Sequence, residues 1–141
     1  MFVLDTNVVS ELRKAAAGKA DANVAAWAAE VDASELFISA ITVMELEIGV
    51  MRIERRDEAQ GALLRRWLET RVLPAFEERI LPIDARVARR CARLHVPDMR
   101  SERDALIAAT ALTHRMAVVT RNTADFAATG VTLINPWLPR R

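Results

Sequence analysis

The chain has 141 residues, 20 Lys+Arg against 19 Asp+Glu for a formal net charge of +1, and 52% hydrophobic residues. That balance excludes intrinsic disorder, and with Cys91 the single cysteine a disulfide framework is excluded too. Length and apolar content point to one domain, spanning 1–141, with a sizeable core. The longest apolar stretches, such as 36–44, are about half the roughly 18 residues a membrane span requires, and Ser39 and Thr42 interrupt that one. No basic region precedes a long apolar run at the N-terminus, where Asp5 intervenes, so no signal peptide and a cytoplasmic location are expected. A net charge near zero argues against whole-surface electrostatic binding of nucleic acid but says nothing about how charge is distributed.

Five short apolar runs read as strands: Phe2-Val3-Leu4, Leu36-Phe37-Ile38, Ile80-Leu81-Pro82-Ile83, Ala117-Val118-Val119-Thr120 and Val131-Thr132-Leu133-Ile134. Patterns of period 3.6 lie between them. Val24, Trp27, Ala28 and Val31 form one apolar stripe, and Ile41, Met44, Ile48 and Met51 a second. Val87, Cys91 and Leu94 form a third, and Leu106, Ala109, Ala111 and Leu112 lie in a fourth apolar helix. The excursion between Ile41 and Phe76 is a double helix, broken near Arg55-Arg56-Asp57. Strands separated by helices, without tight hairpin signals, predict a parallel sheet covered on both faces.

In such a sheet, ligands bind beyond the C-terminal strand ends, and four acids fall there. Asp5 follows the first strand, Glu45 lies in the first turns of the helix after the second, Asp104 begins the helix before the fourth, and Asp125 closely follows Thr120. Each has a structural alternative. Thr42 to Glu45 and Ser101 to Asp104 fit the capping-box spacing, Asn122 and Asp125 suit a helix start, and Asp5 suits a cap for a helix beginning at Thr6-Asn7. Taken together, however, four carboxylates at one edge repel one another without a cation. Several acids with no His or Cys cluster select a hard divalent ion, Mg²⁺ or Mn²⁺, over zinc. Thr6, Asn7, Thr120 and Asn122 supply neutral groups that orient water or phosphate. An acidic metal site of this kind points to phosphoryl chemistry.

Val3-Leu4-Asp5-Thr6-Asn7, Ile41-Thr42-Val43-Met44-Glu45-Leu46 with Gly49, the run from Asp104 to Ala111, and Val119-Thr120-Arg121-Asn122 followed by Asp125-Phe126 resemble the PIN-domain ribonucleases. Within that family they look most like the VapC and FitB-like toxins of type II toxin–antitoxin pairs. The resemblance implies a three-layer α/β/α sandwich with a central, mostly parallel sheet of four to five strands, and a Mg²⁺-dependent (or Mn²⁺-dependent) endoribonuclease. It also implies a homodimer that a small cognate antitoxin inhibits, joining it in a heterotetramer or larger assembly, with DNA reached only through the antitoxin. Carried over by position, Asp5, Glu45, Asp104 and Asp125 are the metal-binding acids, Thr6 and Thr120 hydroxyl helpers, and Asn7 and Asn122 orienting residues. The alternative is a catalytically weak module of the same fold that acts with its antitoxin at an operator. Two departures concern loops: Pro97-Asp98-Met99-Arg100 stands where many relatives place glycine, and none occurs near Ala117.

Other acidic-site folds fit less well. A haloacid-dehalogenase-like phosphatase wants an acid where Asn7 stands, and a receiver-type phosphoacceptor wants a late lysine, whereas none follows Lys19. Arg86, Arg89, Arg90 and Arg93 share one helix face, and Arg52, Arg55, Arg56, Arg65 and Arg66 add positive charge. Such faces either track RNA phosphates or are merely solvated. Glu11 and Glu47 read as solvent-facing or supporting acids, His95, His114 and Cys91 as structural, Trp27 and Trp67 as core or interface anchors, and Trp137 as pinning the C-terminal tail. The apolar helix pair between Ile41 and Phe76 is expected to offer surface to the antitoxin, as the resemblance implies. The terminal Arg140-Arg141 is too short to interpret.

Overall fold

The structure is a computed structural model describing residues 1–139, so Arg140 and Arg141 lie outside the described residues. Five strands form one all-parallel sheet: β1 (Phe2–Leu4), β2 (Leu36–Ser39), β3 (Ile80–Leu81), β4 (Ala117–Val119) and β5 (Leu133–Ile134), in the order β3-β2-β1-β4-β5. All five expected strands are present; the third and fifth are shorter than their apolar runs because only two residues of each find pairing partners, and the fourth stops one residue early at Val119.

Side-chain alternation divides the core. Leu4, Leu36, Ile38 and Val119 face one side with Val8, Val9, Trp27, Leu46 and Val50. Val3 and Val118 face the other with Ile107, Ala108, Ala111 and Phe126. The first face is covered by α1 (Thr6–Leu12), α2 (Ala22–Glu30), α3 (Ala40–Arg56) and α4 (Glu58–Trp67), with the π-wound turn Leu68–Val72 and α5 (Leu73–Ala75) after them. Against the second lie α7 (Glu102–His114) and α8 (Thr123–Phe126), with α6 (Ala85–Leu94) outside α7 through Val87, Cys91, Ala105 and Ala109. This is the three-layer α/β/α arrangement.

Local chemistry sets the boundaries. Asp57 ends α3 and caps α4, its carboxylate accepting Gln60 N–H at 3.0 Å, at the expected break. Arg79 donates to the carbonyls of Ala33, Leu36 and Ala75, tying the entry of β2 to the end of α5. Trp27 stacks edge-on against Phe2 at 5.5 Å. Asn23 Nδ2 donates to the Trp137 carbonyl at 2.8 Å, and Arg121 lies over the Trp137 ring, so that residue does pin the tail.

Two expectations are corrected. The stripe Ile41, Met44, Ile48, Met51 is not the buried face of α3. Thr42, Leu46 and Val50 turn inward with Ile41, while Met44 and Met51 are 40% and 47% exposed. Thr42 does not cap α3, because Ser39 does, its hydroxyl accepting Thr42 N–H at 3.3 Å. Of the two acids left open between solvent-facing and supporting readings, Glu11 is largely covered, accepting Asp21 N–H at 2.8 Å and pairing with Lys14 at 3.2 Å to close the loop into α2. Glu47 remains on the surface, paired with Arg65.

The chain fills the sheet outward from β1 through β2 to β3, then crosses to β4 on the other side of β1. The switch point therefore lies between the C-terminal ends of β1 and β4, where a crevice opens in sheets of this kind.

Candidate active site

Asp5 and Thr120 stand at that switch point, one residue beyond β1 and β4 respectively. The Asp5 backbone N–H still donates to the Val119 carbonyl at 2.9 Å, so the β1–β4 pairing fixes both residues. Asp5 Oδ1 then accepts Thr6 N–H at 2.8 Å, capping α1, and Oδ2 accepts the Thr120 hydroxyl at 2.8 Å. Asn7 Nδ2 lies 3.4 Å from both Asp5 Oδ2 and Thr120 Oγ1. Asp5 is only 6% exposed. Burial raises its carboxyl above the usual range, the Thr120 and Thr6 bonds oppose the rise, and the charges of Glu45 and Asp104 add to it.

Glu45 reaches the same place from α3. Its Oε1 accepts the Thr6 hydroxyl at 2.7 Å, and Thr6 Oγ1 lies 3.2 Å from that of the fully buried Thr42. Its Oε2 lies 3.7 Å from Arg103 Nη1 on α7. Asp104, in the first turn of α7, is half-buried. Its carboxyl is also raised, by burial first and then by the charges of Asp125 and Glu45, against a bond from Ser101. Asp125 is exposed at the rim, where it acts on Asp104. Asn122 enters through its backbone, its N–H donating to Thr120 Oγ1 at 3.0 Å and its carbonyl accepting Asp125 N–H at 3.1 Å.

Asp5, Glu45 and Asp104 thus share one electrostatic field, with Asp125 coupled through Asp104. Among the described residues, no three carboxylate, imidazole or thiol side chains converge into a ready-made cage. The donor chemistry nonetheless fits a hard divalent ion. Mg²⁺ takes one or two carboxylates and keeps several waters, so it needs no complete protein cage. A buried carboxylate flanked by two further acids is the charge imbalance that such a cation relieves. His95 is engaged elsewhere, its Nδ1 accepting Arg100 N–H at 3.1 Å, and His114 lies in the last turn of α7.

Arg103 and Thr42 join the site without being legible as site residues in the sequence. Arg103 adjoins Asp104, but only the packing of α7 beside α3 brings it to Glu45. Thr42 has the spacing of a cap and instead backs the Thr6–Glu45 bond.

Comparison with known proteins agrees with this geometry. The PIN domain family model matches residues 2–131. VapC ribonuclease Y4jK of Sinorhizobium fredii is 40% identical over an alignment covering 99% of each chain. Toxin FitB of Neisseria gonorrhoeae is 37% identical, with 97% of this chain and 99% of FitB covered. The crystal structure of FitAcB from Neisseria gonorrhoeae superposes with a TM-score of 0.87 at 36% identity, covering 97% of this chain and 99% of that one. The structure of FitAB bound to the IR36 DNA fragment gives 0.85 at 34% identity, covering 100% of this chain and 99% of that one. Because the family match takes in all four acids of the switch point, and the relatives align almost end to end, the chain belongs to the PIN domain family, among its VapC- and FitB-like members.

Proposed function

We propose that the protein is a Mg²⁺- or Mn²⁺-dependent endoribonuclease and the toxin of a type II toxin–antitoxin pair. The observation that carries the reading is a buried Asp5 at the β1–β4 switch point, held by two threonines and sharing its field with Glu45 and Asp104. Asp5, Glu45, Asp104 and Asp125 hold the cation. When bound, it neutralises the phosphodiester and lowers the pKa of an attacking water. Thr120 donates to Asp5 Oδ2 and Thr6 to Glu45 Oε1, while Asp5 Oδ1 accepts the Thr6 backbone amide and Glu45 Oε2 faces Arg103. The two threonines fix carboxylate orientation before any ligand arrives, and Asn7 and Asn122 brace Thr120. Arg103 partly neutralises Glu45 at the rim.

The relatives' complexes support an antitoxin as partner and DNA contact through it; a small antitoxin and a homodimeric toxin within a heterotetramer or larger assembly are further parts of the proposal. Among the described residues no helix is long and apolar enough to cross a membrane, and a buried lone thiol at Cys91 suits a cytoplasmic location.

Expression of the chain alone is expected to arrest growth, with new RNA ends appearing on sequencing of cellular RNA. Asp5→Asn abolishes both, and co-expression of the adjacent small open reading frame suppresses both. Growth unaffected by the wild-type chain, or arrest that survives Asp5→Asn, favours the binding-module reading instead.

A further inference from the structure

The four arginines of α6 remain outside the site at the switch point. Arg86, Arg89, Arg90 and Arg93 are all exposed and together line a cleft of about 220 Å³. Their i, i+3, i+4, i+7 spacing places four like-charged neighbours along one row, an arrangement that destabilises an isolated helix. One counter-charge relieves it: Asp84 lies 3.6 Å from Arg86 at the far end, and among the described residues Arg89, Arg90 and Arg93 have no acid within salt-bridge distance. Several arginines elsewhere are engaged, although Arg52, Arg55 and Arg56 on α3 are exposed as well. Arg65 pairs with Glu47, Glu54 and Glu69, Arg79 and Arg100 hold carbonyls, and Arg103 meets Glu45.

The row also points somewhere. Helices α6 and α7 pack antiparallel, with Asp84 in the field of His114 and Cys91 in that of Glu102. Arg93 therefore lies at the end of α6 nearest the start of α7, which carries Asp104. Arg100 bonds back to the Leu94 carbonyl at 2.6 Å and fixes the connection between them. From Arg86 to Arg93 the helix rises about 10.5 Å, long enough to meet about two to three successive phosphates of a single strand.

We propose that this row is an RNA-backbone track, binding phosphates of the strand that enters the active site several nucleotides away from the scissile bond. The inference rests on the ribonuclease reading for the identity of the polyanion. It reconciles a nearly neutral molecule with a polyanionic substrate, because positive charge is concentrated on one approach to an acidic site.

The test uses the full chain carrying Asp5→Asn, so that bound RNA is not cleaved. It compares that protein with a quadruple variant, R86Q/R89Q/R90Q/R93Q, on a fluorescent single-stranded RNA of 20 nucleotides across a salt series. The quadruple variant is expected to bind at least tenfold more weakly at low salt. The slope of log affinity against log salt should fall by about 2, at about 0.7 for each phosphate that is no longer neutralised. Four Arg→Lys changes should retain the slope, and R52Q/R55Q/R56Q on α3 should leave it unchanged. With position 5 as Asp, the quadruple variant should cleave a tetranucleotide at the wild-type rate while its KM for the long RNA rises.

An unchanged slope overturns the track, as does an equal loss in the α3 variant or a loss confined to an acidic protein partner or to duplex DNA. Absence of any RNA cleavage by the wild-type chain would instead overturn the ribonuclease reading, and the binding slopes would still report on the row by themselves.

Discussion

The Asp5 carboxylate caps α1 and receives the Thr120 hydroxyl, yet it is buried beside Glu45 and Asp104, and burial together with those charges raises its pKa. The sign for stability follows by linkage. As pH rises past the ordinary carboxylate range the unfolded chain ionises first, so the contributions of Asp5 and Asp104 to stability fall until their raised folded pKa values are passed. Asp5→Asn keeps an acceptor for Thr6 N–H and removes the buried charge. In metal-free buffer at neutral pH it should melt higher than wild type, by about 2–8 °C per kcal/mol relieved. The gap should close toward acid pH, and Mg²⁺ should raise the wild type while leaving the variant unmoved. Melting curves over pH, with and without Mg²⁺, check this, and a variant that melts lower at neutral pH contradicts it. The four acids are legible in the sequence because each closely follows a strand or opens a helix. Arg103–Glu45 and Thr6–Thr42 are not, since they join residues 58 and 36 positions apart.

Elements are legible where their limits are local and less so where a partner decides which face is buried. The break at Asp57 is a side-chain cap and visible in sequence, whereas the inward face of α3 is chosen by β2 and the first core face, which leaves Met44 and Met51 outside. Two glycines in this helix pair separate the same way. A Cβ on Gly61 of α4 would fall 2.5 Å from Glu54 Cα of α3, whereas one on Gly49 meets nothing within 4 Å. Gly61→Ala should therefore destabilise by about 1–3 kcal/mol through forced separation of the hairpin. Gly49→Ala should stabilise by about 0.5–1 kcal/mol by removing backbone freedom from an open helical position. Urea titrations measure both, and equal effects would contradict the close approach. The glycine missing near Ala117 also has a location: Arg115 ends α7 with φ 57°, a left-handed conformation that glycine adopts without penalty. Arg115→Gly should raise stability by about 1 kcal/mol, measured the same way.

Over the whole molecule, a net charge of +1 averages an acidic switch point and exposed arginine rows on α3 and α6. Alternating strands and helices suffice to infer a parallel sheet, and the order β3-β2-β1-β4-β5 explains why acids from distant segments meet. Nothing in the spacing of Asp5 and Asp104 fixes that order, which depends on the chain crossing β1 to reach β4. The central claim is that this meeting of acids makes a metal-dependent ribonuclease. Its most direct test is cleavage of a defined single-stranded RNA by the purified chain, with Mg²⁺ or Mn²⁺ and with chelator. We expect cleavage that requires the cation, stops with chelator and falls about 100-fold or more in both Asp5→Asn and Asp104→Ala. Cleavage that persists in chelator, or survives both substitutions, would contradict the claim.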